Sequence, residues 1–114
     1  NRPIWIVRNG KKEIEEIKAT KKAIGGFTED EQVFDTHTIQ FETGDTFYIA
    51  SDGYADQDGG DRGKKLMTKK FKQMLIDIQD KSMQEQKNHL EEFIINWRGD
   101  RQQLDDILVI GVKI

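Results

Sequence analysis

Three aspartates stand where an extended segment stops or starts. Asp52 directly follows the β-rich run 46–50, and Asp105 and Asp106 directly precede the apolar run 107–112. If the two runs are strands paired antiparallel, the acidic end of each falls on the same rim of the sheet. Carboxylates gathered there repel one another unless a cation lies between them, and hard oxygen donors suit Mg²⁺ or Mn²⁺. The plainer alternative stays open: Asp52-Gly53 is only a turn, and Asp105 only an acid flanking a strand.

Other chemistries fit less well. Asp52, Asp56, Asp58 and Asp61 suggest a calcium loop. An EF-hand counted from Asp56 needs glycine sixth and glutamate twelfth, where this chain has Asp61 and Met67. Counting from Asp52 puts Gln57 and Gly63 there. Gly59-Gly60 lacks the GK[ST] that completes a phosphate-cradling loop. His37 and His89 are isolated from any His or Cys partner and read as structural or solvated. Ser51 lacks a G-x-S-x-G elbow and a histidine base. The chain has no cysteine, which excludes disulfides and thiolate chemistry and is compatible with a reducing compartment. Trp5 and Trp97 read as core or strand-face residues.

The elements that must position these acids can be read from periodicity. An apolar run over 4–8 ends at Asn9-Gly10, the dipeptide suited to the two positive φ values of a tight hairpin. The turn favours a second strand within KKEIEEIKAT, although Ile14 and Ile17, three apart among Glu and Lys, also suit a helix. Alternation over 33–41 sets Val33, Ile39 and Phe41 against Thr36, Thr38 and Gln40 and predicts a strand. The turn Glu42-Thr43-Gly44-Asp45 then joins it to 46–50 as a hairpin. Residues 51–63 read as a polar, Gly-rich loop.

Phe71, Met74, Leu75 and Ile78 form one helical stripe, with Thr68 a candidate cap. Ser82 and Glu85 have capping-box spacing before a second stripe of Met83, Leu90, Ile94 and Trp97, which stops near Gly99. The final run ILVIGVKI reads as a central strand buried on both faces.

Composition bounds the rest. The chain has 114 residues and a formal charge of −3, with 18 basic and 21 acidic side chains. That is room for one small domain. Ile, Leu, Val and Phe number 29, enough for a core. The pairs Lys11-Lys12, Lys21-Lys22, Lys64-Lys65 and Lys69-Lys70 are scattered among acids and read as solvated faces. No basic block supports nucleic-acid binding. The run 107–112 is too short for a membrane span or signal sequence, so a soluble protein without membrane contact is expected.

The stretch FYIASDGYADQDGG, followed about fifty residues later by DDILVIGVKI with two helices between, resembles the C-terminal half of the metal-dependent PPM-type (PP2C-like) serine/threonine phosphatases. The resemblance is to the bacterial branch similar to SpoIIE and RsbU, and it covers essentially the whole chain. The Arg2-Pro3-Ile4-Trp5 to Asn9-Gly10 hairpin, the Ile24-Gly25-Gly26 step and Gly44-Asp45 are also in pattern.

The resemblance implies an α+β fold, part of an α-β-β-α sandwich, with residues 1–114 as the C-terminal portion of one phosphatase domain. It implies two Mn²⁺ or Mg²⁺ ions and a bridging hydroxide that attacks the phosphorus of phosphoserine or phosphothreonine. Asp52 and Asp105 take the positions of catalytic metal ligands. Asp106 stands beside the second ligand, where other members carry Asn, and Asp56 aligns with an acid that assists a looser third metal. Asp58 replaces a frequent aromatic.

The family's other ligand motif, an Asp followed by Gly-His-Gly, does not occur in this sequence. The 114 residues are therefore expected to form an incomplete catalytic domain, inactive alone, within a cytoplasmic bacterial signalling protein. A phosphorylated anti-sigma-factor antagonist is the expected substrate partner. The alternative is a non-catalytic regulatory or dimerisation module that keeps the fold. An interrupted sandwich would leave Trp5, Val7, Ile49 and Val109 partly uncovered and favour self-association as a two-fold dimer.

Overall fold

The computed structural model describes residues 2–18, 21–23, 32–34 and 39–114, with side chains for 2–18 and 39–114. The Ile24-Gly25-Gly26 step, His37 and the 35–38 part of the expected strand lie outside the described residues. The elements run β1 (Ile4–Val7), β2 (Glu15–Ile17), β3 (Lys21–Ala23), β4 (Gln32–Phe34), β5 (Thr46–Ala50), α1 (Gly53–Asp56), β6 (Asp58–Gly59), β7 (Lys64–Lys65), α2 (Thr68–Asp77), α3 (Met83–Arg98) and β8 (Val109–Lys113). The main sheet is antiparallel with order β2-β1-β5-β8, while β3-β4 and β6-β7 form separate two-stranded pairs.

Both helices pack on one face of the main sheet. Cross-strand partners share a face, so Trp5, Tyr48 and Gly111 point the same way, as do Val7, Thr46 and Lys113. Trp5, Val7 and Tyr48 are buried there against Phe71, Leu75 and Ile78 of the α2 stripe and Leu90 and Ile94 of α3. Phe71 is fully buried; it stacks on Tyr54 at 4.3 Å and meets Trp5 edge-on at 5.5 Å. The face is locked by polar bonds at its centre. The Tyr48 hydroxyl donates to Gln86 Oε1 (2.5 Å) and accepts from Gln79 Nε2 (2.7 Å), tying β5 to the end of α2 and the start of α3. Ser82 and Glu85 make the expected capping box, and Gly99 closes α3 with φ of +58°.

Several sequence expectations change. The Asn9-Gly10 turn has positive φ at Gly10 only, and its hydrogen bond runs from Lys11 N to Arg8 O (2.9 Å). The next strand pairs Glu15 with Ile6, so this connection is a longer loop, not a two-residue hairpin. The expected 42–45 turn forms, with Asp45 N donating to Glu42 O (3.0 Å), but residues 39–42 before it are irregular, and both edges of β5 are taken by β1 and β8. The turn is tied to the end of β1 by Asp45, whose buried carboxylate accepts from Glu42 N and Asn9 N (2.8 Å each) and from Arg8 (3.0 Å). Those bonds hold 42–45 against the chain that leaves β1.

Thr68 is the first helical residue of α2 and not its cap; Met67 holds that place with φ of +80° and no side-chain bond. The loop 51–63 contains α1 and the first strand of a β6–β7 hairpin. Finally, β8 lies at the end of the strand order, and Leu108, Ile110, Val112 and Ile114 are 38–48% exposed. Apolar composition alone cannot separate a central strand from an edge strand with one bare face. Trp5 and Val7, expected to be uncovered, are buried by α2, while Ile49 and Val109 are half-buried.

Candidate active site

The acid rim is built by the β5–β8 pairing. Ala50 faces Val109, the last rung of that ladder, so the chain leaving β5 at Ser51-Asp52 and the chain entering β8 from Asp105-Asp106 run side by side. Ser51 fastens them. Its N–H donates to Leu108 O (2.8 Å), its hydroxyl donates to Asp106 O (2.9 Å), and it accepts from Leu108 N (2.9 Å). Gly53 allows the closest approach: a Cβ there would lie 2.8 Å from the Asp106 carbonyl carbon and collide with its oxygen. The glycine of the S-D-G turn is needed for backbone contact, although its own φ is ordinary.

Asp52, Asp105 and Asp106 are thus brought to one rim, all three exposed. Asp105 Oδ1 accepts from Asp106 N (2.7 Å). Asp56 stands one turn along α1, its N–H bonded to Asp52 O (2.9 Å), and its Oδ1 lies 4.0 Å from Lys65 Nζ. Lys65, read from the sequence as solvated, is exposed, and Asp56 is its nearest acidic partner. His89 is exposed on α3, away from these acids in sequence and element.

The donor set fits a hard divalent cation in kind: carboxylate oxygens, open to water, on a fixed backbone. In number it is short, since among the described residues no three His, Cys, Asp or Glu side chains are grouped to hold a metal. An apolar groove of about 540 Å³ between α3 and β8, lined by Tyr48, Leu90, Ile94, Ile107 and Val109, opens beside the rim and carries none of its aspartates.

Behind the rim the β6–β7 hairpin is anchored to both acid-bearing segments. Gln57, at its root, accepts through its backbone oxygen from Leu66 N (3.1 Å) and Trp97 Nε1 (2.9 Å). Its side-chain Nε2 donates to Gln102 O (3.2 Å), in the loop that leads to Asp105. Gly59 packs on the end of α3, where a Cβ would lie 2.7 Å from the Trp97 carbonyl carbon, and Gly60 N donates to Trp97 O (3.0 Å). The hairpin leaves into α2 through Met67, held by a bond from its N–H to Ala55 O (2.8 Å). Met67 is the one non-glycine residue with positive φ among those described.

The antiparallel sheet with helices on one face, with its S-D-G turn clipped against a D-D strand entry, matches the fold of solved PP2C phosphatase domains. The model of the family "Stage II sporulation protein E (SpoIIE)" matches residues 1–114, and the chain belongs to that family. Among solved structures, the SiaA-PP2C domain of Pseudomonas aeruginosa is 26% identical with a TM-score of 0.78, over 99% of this chain and 43% of that one. The phosphatase domain of the cell-fate determinant SpoIIE from Bacillus subtilis is 21% identical with a TM-score of 0.63, over 99% and 48%. A Mn-presoaked form of that domain gives 22% and 0.61, over 98% and 46%. The chain therefore spans less than half the length of these structures. No curated protein matches it. Among the described residues, no helix is long and apolar enough to cross a membrane.

Proposed function

We propose that this chain is the C-terminal portion of a metal-dependent protein serine/threonine phosphatase domain, in a cytoplasmic bacterial signalling protein. The observation that carries the reading is the clip of Ser51 and Gly53 onto the Asp106–Leu108 backbone, in a chain matched to the SpoIIE family over its whole length. Asp52 and Asp105 would hold two Mn²⁺ or Mg²⁺ ions, with Asp106 beside them and Asp56 peripheral. Bound ions supply a water of lowered pKa and neutralise phosphoryl charge. The chain's own contribution is positional: the Ser51 bonds and the close packing at Gly53 fix the spacing of the two carboxylate-bearing backbones before any ligand arrives. The substrate class is a phosphorylated protein, with an anti-sigma-factor antagonist as the proposed partner. A nucleic acid or a membrane is not.

Because the Asp-Gly-His-Gly motif is absent from these residues, catalysis needs donors from outside them. Mn²⁺-dependent phosphate release from a phosphoserine protein should be negligible for the 114-residue chain. It should be present in the full-length protein and reduced at least about a hundredfold by Asp52→Asn, the scale of losing a group that stabilises transition-state charge. Robust turnover by the isolated chain, or full activity of Asp52→Asn, would overturn the assignment. A second reading, a non-catalytic module that associates through its sheet, is favoured by the exposed row Leu108, Ile110, Val112 and Ile114 on one face of β8.

A further inference from the structure

The β6–β7 hairpin is fixed more firmly than a short surface connection requires. It is bonded to α1, to the Gln102 loop and to the end of α3, and it ends at Met67 with φ of +80°, a conformation that costs energy for a residue with a Cβ. Such strain persists only where neighbouring bonds over-determine it. What the anchorage holds beside Asp56 is Lys65. Its ammonium lies 4.0 Å from Asp56 Oδ1, one helical turn from Asp52, and both partners are more than half exposed, at 59% and 52%. An open pair at that separation adds little stability, so the pair itself does not account for the anchorage.

Resting on the phosphatase reading above, we infer that Lys65 is the residue that receives the substrate's phosphoryl group. A phosphate monoester carries nearly two negative charges and three acceptor oxygens, and the carboxylates around the rim oppose whatever part of that charge bound ions leave unneutralised. An ammonium on a flexible stem offers three donors and the opposite charge. Without substrate, Asp56 holds that ammonium at the rim. When a phosphoryl group arrives, Lys65 moves from Asp56 to one of its non-bridging oxygens and orients it toward Asp52. Asp56 is then a parking partner, and Lys65 a specificity residue for the anionic group. Lys64 projects from the opposite side of the same strand and takes no part.

The test uses the full-length protein loaded with Mn²⁺ and two readouts: calorimetric binding of inorganic phosphate, and KM and kcat for a phosphoserine peptide. Lys65→Gln should weaken phosphate binding and raise KM about fivefold to tenfold, the scale of one partly exposed charge-assisted hydrogen bond, with kcat changed less. Lys65→Arg should retain most of the affinity, which controls for folding. Lys64→Gln removes the same charge and should change neither readout by more than about twofold. Unaltered binding in Lys65→Gln, or an equal loss in Lys64→Gln, would overturn the inference alone. A wild-type protein that neither binds phosphate nor releases it from the peptide would overturn the phosphatase reading and the inference with it.

Discussion

Replacing Gly53 by alanine sets two effects of opposite sign against each other. Gly53 opens α1 with an ordinary negative φ, so helix propensity and the reduced entropy of the unfolded chain favour alanine by about 0.5–1 kcal/mol. Packing opposes it. The new methyl would meet the Asp106 carbonyl group, with its carbon at 2.8 Å, and the obstacle is backbone, not the yielding end of a side chain. To reach ordinary contact the two segments must part by on the order of 1 Å, a small-to-large strain of about 1 kcal/mol. That shift lengthens three bonds of 2.8–2.9 Å between Ser51 and the Asp106–Leu108 backbone beyond useful range. At this exposed rim each contributes about 0.5–1 kcal/mol. The expected net loss is about 2 kcal/mol, or roughly 10 °C in Tm for a chain of this size.

Thermal and urea unfolding of the wild type, Gly53→Ala, Ser51→Ala and the double variant would measure it. Ser51→Ala alone should cost about 1 kcal/mol but little more in the Gly53→Ala background, where its bonds are already broken, giving a coupling of at least about 0.5 kcal/mol. A neutral or stabilising Gly53→Ala, or strictly additive variants, would refute the close apposition of the S-D-G turn and the D-D strand entry on which the site rests.

Acid should weaken the fold through carboxylates held below their ordinary range. Asp45 is lowered chiefly by the Glu42 and Asn9 N–H groups, Glu16 chiefly by Lys72 and then Trp5, and Glu85 chiefly by the Ser82 N–H. A lowered folded-state pKa gives stability that is complete above the unfolded value, near 3.8 for Asp and 4.5 for Glu, and lost as pH falls through the folded value. Urea midpoints should therefore be flat near neutrality and drop below about pH 4. Asp45→Asn should lower the plateau and flatten the drop, and an unchanged slope would show that the Asp45 bonds do not persist in solution. The exposed row on β8 predicts that the 114-residue chain self-associates as a two-fold dimer at micromolar concentration. Light scattering that finds only a 13.2 kDa species, independent of concentration, would contradict this.

Short-range patterns specify the local elements and the types of residue at the site. The α2 and α3 stripes, the Ser82-Glu85 capping box and the Gly99 stop are short-range patterns, and each appears where its spacing puts it. The acids at the end of one strand and the start of another were legible for the same reason, as was the conditional statement that antiparallel pairing would bring them to one rim. The pairing of β5 with β8 emerges only in the folded chain, because strand partners are chosen by non-local bonds. Here β1 and β8 take both edges of β5, while Asp45 ties the 42–45 turn to Arg8 and Asn9. The edge position of β8 was hidden too, since an apolar run reads the same whether one of its faces or both are covered. Lys65 became distinct from its neighbour Lys64 only when the hairpin turned one of the two toward Asp56, a difference of strand side that no count of charges contains.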